Sequence, residues 1–102
     1  MREYEVYVPL NDNDGSPVED AKIESIGERL LAQFDGLTYF PQPNRGYWRM
    51  GAVTFRDEVV IFRVLAGDVR KARRFLRKLK EDLKRELRQE EILIVERDVG
   101  TL

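Results

Sequence analysis

The densest charge in the chain lies in residues 70–88, which contain ten basic and three acidic side chains. Their net charge is +7, whereas the rest of the chain carries −8. Clustered cations of this kind attract nucleic acid or an acidic protein surface. The candidate polyanion surface consists of Arg70, Lys71, Arg73, Arg74, Arg77, Lys78, Lys84 and Arg85. The low pI, about 5.6, favours the alternative of a solvated helix that balances an acidic remainder.

Aromatic side chains alternate with arginines in the middle of the chain. The aromatic members are Tyr39, Phe40, Tyr47, Trp48 and Phe55, and the basic ones are Arg45, Arg49 and Arg56. Such a segment could stack nucleic-acid bases, or line a pocket for a small aromatic or anionic ligand. The candidate pocket comprises Tyr7, Tyr39, Trp48, Arg49 and Arg63. The alternative is that the aromatic rings only close one end of the core.

Residue types suited to catalysis are scarce. The absence of cysteine and histidine excludes disulfides, thiol nucleophiles, Cys/His zinc sites and the commonest general base. No glycine-rich phosphate loop is present. The remaining acid or base groups, such as Glu5, Glu58 and the tyrosines, are not paired by any motif. We therefore expect no metal site and no cofactor, and the composition favours a binding domain over an enzyme.

One arginine interrupts a run of apolar residues. Arg63 lies inside the strand-like segment 59–65, and buried arginines usually pair with a carboxylate. Glu5 lies at a polar-facing position of the first predicted strand. We expect Glu5 to be the partner, in a structural ion pair or at an exposed rim.

Hydrophobic periodicity places these groups on six elements. Ser16 and Glu19 have the spacing of a capping box, and Gly36 is expected to end the first helix in a left-handed conformation. Gly27 interrupts the apolar stripe of that helix, which indicates close approach to a sheet. Asp68 is expected to cap the second helix. The predicted strands cover residues 3–8, 37–40, 59–65 and 92–95, and the predicted helices cover residues 16–34 and 69–88.

The order of elements predicts a fold class. A single α+β domain over residues 1–102 is expected, as a ferredoxin-like βαββαβ two-layer sandwich. Prolines and glycines in residues 41–53 predict an irregular hairpin excursion between the second and third strands. Residues 97–102 are expected to form a loose tail.

Two of the predicted strands are apolar on both faces, although a single helix layer covers only one of them. The candidate sheet-face interface consists of Val59, Ile61, Leu65, Leu93 and Val95. We expect a second copy of the chain to cover this face. The alternatives are the 41–53 excursion folded over the face, or a ligand.

Several short motifs carry a resemblance to a known family. They are Phe34-Asp35-Gly36-Leu37-Thr38, Gly46-Tyr47-Trp48, the acidic pair Asp57-Glu58 before a hydrophobic strand, and Gln89-Glu90 before the last strand. Over most of residues 4–96 the chain resembles an uncharacterised bacterial family of small α/β domains, known only as a domain of unknown function. The resemblance implies the fold and carries no activity. The basic second helix departs from the family pattern.

The function predicted from these patterns is a binding or assembly domain, homodimeric through its sheet face. One alternative is nucleic-acid or polyanion binding through the basic helix. Another is a small-molecule domain or minor enzyme with a pocket near Trp48 and Arg63. No segment has the apolar length of a membrane span or of an export signal, so a cytoplasmic protein without a membrane partner is expected.

Overall fold

The computed structural model of the chain describes all residues from 1 to 102. The elements are β1 (Arg2–Pro9), α1 (Asp20–Gln33), β2 (Thr38–Met50), β3 (Val53–Ala66), α2 (Val69–Glu86) and β4 (Ile94–Asp98). The four strands form one antiparallel sheet in the order β2-β3-β1-β4. The predicted α+β class is confirmed. Neither helix is long and apolar enough to cross a membrane.

Both helices pack on the same face of the sheet. The core residues of β1 and β3 all have even numbers, as expected when side chains alternate between the faces of a strand. They are Tyr4, Val6, Val8, Val60, Phe62, Val64 and Ala66. Their helical partners are Ile23, Ile26 and Leu30 of α1 and Ala72, Leu76, Leu79 and Leu83 of α2. The apolar stripes predicted for the two helices are therefore the buried ones.

Gly27 allows α1 to approach the sheet closely. A Cβ atom at this position would lie 3.3 Å from Cε1 of Phe62, which is tighter than an ordinary contact. The predicted reason for a glycine within the apolar stripe is thus confirmed. Glycine is a poor helix former, but at this position it allows the helix and the sheet to pack closely.

The ends of α2 are both fixed by hydrogen bonds. The Lys71 amide donates to Oδ1 of Asp68 at 3.1 Å, which confirms the predicted N-cap. At the other end the Gln89 amide donates to the Lys84 carbonyl at 2.8 Å. Arg88 has a φ of 51°, so an arginine takes the left-handed position that glycine usually fills. The Gln89 side chain donates to the Leu87 carbonyl at 3.1 Å.

The start and end of α1 differ from the prediction. The helix begins at Asp20 with Glu19 as N-cap, and no side chain caps it. The predicted capping box is wrong because Ser16 lies four residues before the helix, in a turn where its amide donates to Oδ1 of Asp14. Gly36 does not have a positive φ, since the chain leaves the helix at Phe34 in an extended conformation.

The predicted hairpin excursion between the second and third strands is formed by the extended ends of β2 and β3 themselves. β2 and β3 form one long hairpin, interrupted only by a register shift between Phe40 and Asn44. Pro41 and Pro43 fit because β2 is an edge strand, where a missing N–H removes no ladder bond. The turn at residues 51–52 uses the positive φ of Gly51. The hairpin extends away from the sheet and does not fold over it.

The last strand lies slightly later than predicted. β4 spans Ile94–Asp98, and the Val99 amide donates to the Met1 carbonyl at 3.1 Å. Arg97 and Asp98 are therefore part of the sheet and do not belong to a loose tail.

Candidate interaction surface

The sheet face opposite the helices carries the odd-numbered positions of β1 and β3, with Val95 and Arg97 of β4 and Leu93 just before it. We call these positions the open face. All five predicted interface residues lie here, and the two most exposed are Leu65 and Leu93. Ile61 and Val95 are half-buried, and Val59 is buried within the chain itself.

An ion network occupies one half of the open face. Nη2 of Arg63 donates to Oε2 of Glu5 at 3.0 Å, which confirms the predicted pair. Arg63 also lies 3.1 Å from Glu3, measured from Nε to Oε1. Arg97 bridges the same two carboxylates, at 2.8 Å from Glu3 and 2.6 Å from Glu5. The four side chains form a closed network with no net charge.

Glu5 is the buried member of this network, with 4% of its surface exposed. Burial alone would raise the pKa of Glu5, but hydrogen bonds from Arg97 and Arg63 outweigh it and lower the pKa. Hydrogen bonds to Glu5 and Glu3 raise the pKa of Arg97. Arg63 also lies over the ring of Phe40, 4.9 Å from its centroid. This cation–π contact joins the ion network to the apolar half of the face.

Beyond the end of β1, only β2 and β3 remain paired. The last pair between β1 and β3 is Pro9 with Val59, so residues 44–58 form a two-stranded projection without a core beneath it. We call these residues the arm. Two-stranded ribbons are marginally stable alone in water. A partner that packs against the arm would therefore stabilise it.

The two sides of the arm differ in chemistry. Trp48 is paired with Phe55 and Met50 with Val53, and alternation places all four on the side continuous with the open face. The opposite side carries Tyr47, Arg45, Arg49, Arg56, Thr54 and Glu58. The aromatic and basic residues that alternate in sequence are thus largely separated in space.

The apolar side of the arm and the open face together hold most of the exposed hydrophobic surface. Of the eleven large hydrophobic side chains that are exposed, six lie there. They are Trp48, Met50, Val53, Phe55, Leu65 and Leu93, each 43–62% exposed. Half-exposed side chains of this size offer roughly 500 Å² of apolar surface. With a polar rim, this approaches the ~800 Å² that each partner buries in a standard interface.

The five residues of the predicted pocket do not share a site. Tyr7 and Arg63 lie on the open face, whereas Tyr39 lies on the helix side, stacked on Phe62 at 4.6 Å. Trp48 and Arg49 lie in the arm on opposite sides. No group of three or more acidic residues is placed to hold a metal ion.

The predicted polyanion surface is partly neutralised by acidic neighbours. Lys78 and Arg85 both pair with Asp82, at 3.1 and 2.9 Å, and Lys84 lies 3.6 Å from Glu81. Arg73 is held by Glu96. The remaining members have no carboxylate within 4.0 Å: they are Arg70, Lys71, Arg74 and Arg77.

Sequence reasoning missed a second polar cluster, between β1, β4 and α2. Arg73 contacts both oxygens of Glu96, at 2.7 and 2.9 Å, and the Tyr4 hydroxyl donates to Oε1 at 2.7 Å. These hydrogen bonds lower the pKa of Glu96 to about 2. Burial and the hydrogen bond to Glu96 raise the pKa of Tyr4 to about 12. The long separation of these residues in sequence left no pattern that could have paired them.

Comparisons with known proteins bear on the fold. No family model matches the chain, and no curated protein matches it. A solved structure, a phage SAM lyase in complex with S-methyl-5′-thioadenosine, is similar over 95% of this chain and 80% of that one. The TM-score is 0.71 and the sequence identity is 11%. At this identity, the likeness shows that the two chains share a fold.

Proposed function

We propose that the protein is a binding and assembly domain that forms a homodimer through the open face and the apolar side of the arm. The observation that carries this proposal is that six of the exposed large hydrophobic side chains lie on the same side of the sheet and arm. Large apolar patches on small domains are typical of interaction sites.

Two features favour a second copy of the chain as the partner. The ion network of Glu3, Glu5, Arg63 and Arg97 sums to zero, so two open faces can meet without net repulsion. The arm extends past its own sheet, so in a two-fold pair each arm can reach the neighbouring sheet. The basic surface of α2 then faces outward on both subunits.

We further assign the domain to the ferredoxin-like class. The order of elements and the strand order β2-β3-β1-β4, which together form two interleaved β-α-β units in one antiparallel sheet, support this assignment. We also propose that the chain is related to the uncharacterised family of small α/β domains, on the basis of the short motifs that it shares with that family.

Two matched variants of the arm test the proposed interface. Phe55→Glu places a charge on the apolar side, whereas Tyr47→Glu places it on the opposite side at a similarly exposed position. We expect Phe55→Glu to weaken the dimer by at least about a hundredfold, because a buried unpaired carboxylate costs several kcal/mol. Tyr47→Glu should leave it unchanged. Light scattering after size exclusion measures the mass, and equal behaviour of the two variants would contradict the proposal.

A further inference from the structure

The outer edge of β4 has free backbone groups. The Tyr7 amide donates to the Leu93 carbonyl at 3.0 Å, which fixes the alternation of the ladder between β1 and β4. In an antiparallel pair, every second residue directs its N–H and C=O away from the neighbouring strand. For β4 these residues are Ile94, Glu96 and Asp98, and no further strand lies beyond them. The edge can therefore accept another strand.

A basic groove runs beside this edge. It has a volume of about 180 Å³ and lies between α2 and β4. Its lining residues are Tyr4, Arg73, Leu76, Arg77, Lys80, Ile94 and Glu96. Three cations thus face one carboxylate, and that carboxylate is already engaged by Arg73 and Tyr4.

The cations along the groove form a row on one side of α2. Arg77 has no carboxylate within 4.0 Å, and Lys80 has only Glu91, an exposed partner at 3.0 Å. Positions 73, 77 and 80 are separated by about 6 and 4.5 Å along the helix axis. Alternate residues of an extended chain repeat every ~6.6 Å, so acids two residues apart on a strand can reach successive cations of the row.

We propose that an extended acidic peptide adds to β4 as a fifth strand, with alternate acidic side chains directed at Arg73, Arg77 and Lys80. Backbone hydrogen bonds to the edge supply affinity, and the cations select for acidic residues on one side of the peptide. Leu76 and Ile94 provide the apolar floor of the groove.

A second copy of this chain does not fit the same edge. Antiparallel pairing of two β4 strands about Glu96 would place the two Glu96 side chains opposite each other, which is destabilising. It would also bring two rows of cations together. The edge of β2 is closed to strand addition near Pro41 and Pro43, because proline lacks the N–H donor. The peptide site is therefore specific to β4 and separate from the open face.

Fluorescence anisotropy with a labelled eight-residue peptide of alternating glutamate and threonine tests this proposal, against a control peptide with glutamine for glutamate. We expect binding of the acidic peptide only. Arg77→Gln should weaken it by about tenfold or more, since hydrogen bonds between charged groups contribute ~1.5–3 kcal/mol. Arg74→Gln, an unpaired arginine on the exposed surface of the same helix, should bind normally.

Amide hydrogen exchange distinguishes strand addition from general electrostatic attraction. The amides of Ile94, Glu96 and Asp98 should gain protection when the peptide binds. Asp98→Pro removes one edge donor without removing a backbone hydrogen bond to β1, and it should weaken binding more than Asp98→Ala, which loses the same ion pair with Arg2. Binding without protection of these amides overturns the proposal, as does equal affinity for the glutamine peptide. Equal binding of oligothymidylate would also overturn it, in favour of a general polyanion surface. Measurements in Phe55→Glu keep this test independent of dimer formation.

Discussion

Trp48 and Phe55 lie directly opposite each other on the two strands of the arm, on the side continuous with the open face. They are 48% and 44% exposed, although aromatic side chains of this size are usually buried in cores or interfaces. Their pairing alone cannot shield them, since the arm has no layer behind it. Because both rings lie on the side of the open face, the apolar side of the arm and the open face point in the same direction.

The single tryptophan reports directly on this surface. If Trp48 is covered in the dimer, its emission should shift to longer wavelength on dilution, because dissociation exposes the indole to water. The midpoint of the shift should follow the loss of dimer mass. The Phe55→Glu variant should show the exposed emission at every concentration. Emission that is independent of concentration in a protein that does dissociate would place Trp48 outside the interface.

Removing the charge of Glu5 should destabilise the fold. Glu5→Gln leaves Arg63 and Arg97 with Glu3 as their one shared carboxylate, so we expect a loss of about 2–3 kcal/mol in the free energy of unfolding. This is less than for a fully buried pair, because Arg63 and Arg97 are partly exposed. Glu90→Gln, an exposed position without an ion pair, is the control. Urea titration measures the free energy of unfolding of both variants, and equal values would contradict a stabilising role of the network.

The cluster of Tyr4 and Glu96 predicts that the stability of the fold decreases at both low and high pH. The pKa of Glu96 is lowered from 4.5 to about 2, so its contribution is complete above pH 4.5 and is lost as pH falls towards 2. The pKa of Tyr4 is raised from 10.0 to about 12, so its contribution is complete below pH 10 and is lost as pH rises towards 12. In an ultraviolet titration, one of the four tyrosines should ionise last. Tyr4→Phe should remove that late step, and its persistence would contradict the assignment.

Arg88 offers a site for stabilisation. A non-glycine residue with positive φ costs ~1–2 kcal/mol, whereas glycine adopts this conformation freely. Part of that gain is offset by the larger entropy of glycine in the unfolded chain, so Arg88→Gly should stabilise the protein by about 0.5–1 kcal/mol. Arg88→Ala, which removes the charge and keeps the Cβ atom, should give no gain. Equal effects of the two substitutions on thermal unfolding would show that backbone strain is absent.

The parts of the fold that could be predicted depend on strong local patterns. The stripe of α2 and its Asp68 cap predict that helix almost to its ends, and strand alternation identifies the positions of the open face. The Glu5–Arg63 pair could be predicted because a charge among apolar residues requires a partner. Arg97 and Glu3 complete that network, but their exposed strand-end positions gave no comparable signal.

A hairpin was predicted in this region, but the continuity of its strands with β2 and β3 was not, because the sequence contains residues that usually interrupt strands. Pro41, Pro43 and Gly46 are typical of turns, and their compatibility with β2 depends on its place at the sheet edge. The position of β2 at the sheet edge depends on how the whole chain folds, so the local sequence does not reveal it. The residues of the predicted pocket lie apart because Trp48 and Arg63 belong to different ends of one long hairpin.

The mass of the unmodified protein in solution tests the central proposal most directly. Sedimentation equilibrium at micromolar concentration should give twice the chain mass of 12.0 kDa, with reversible dissociation on dilution. A single species with the mass of one chain, at concentrations up to those used for crystallisation, would contradict assembly through the open face and the arm.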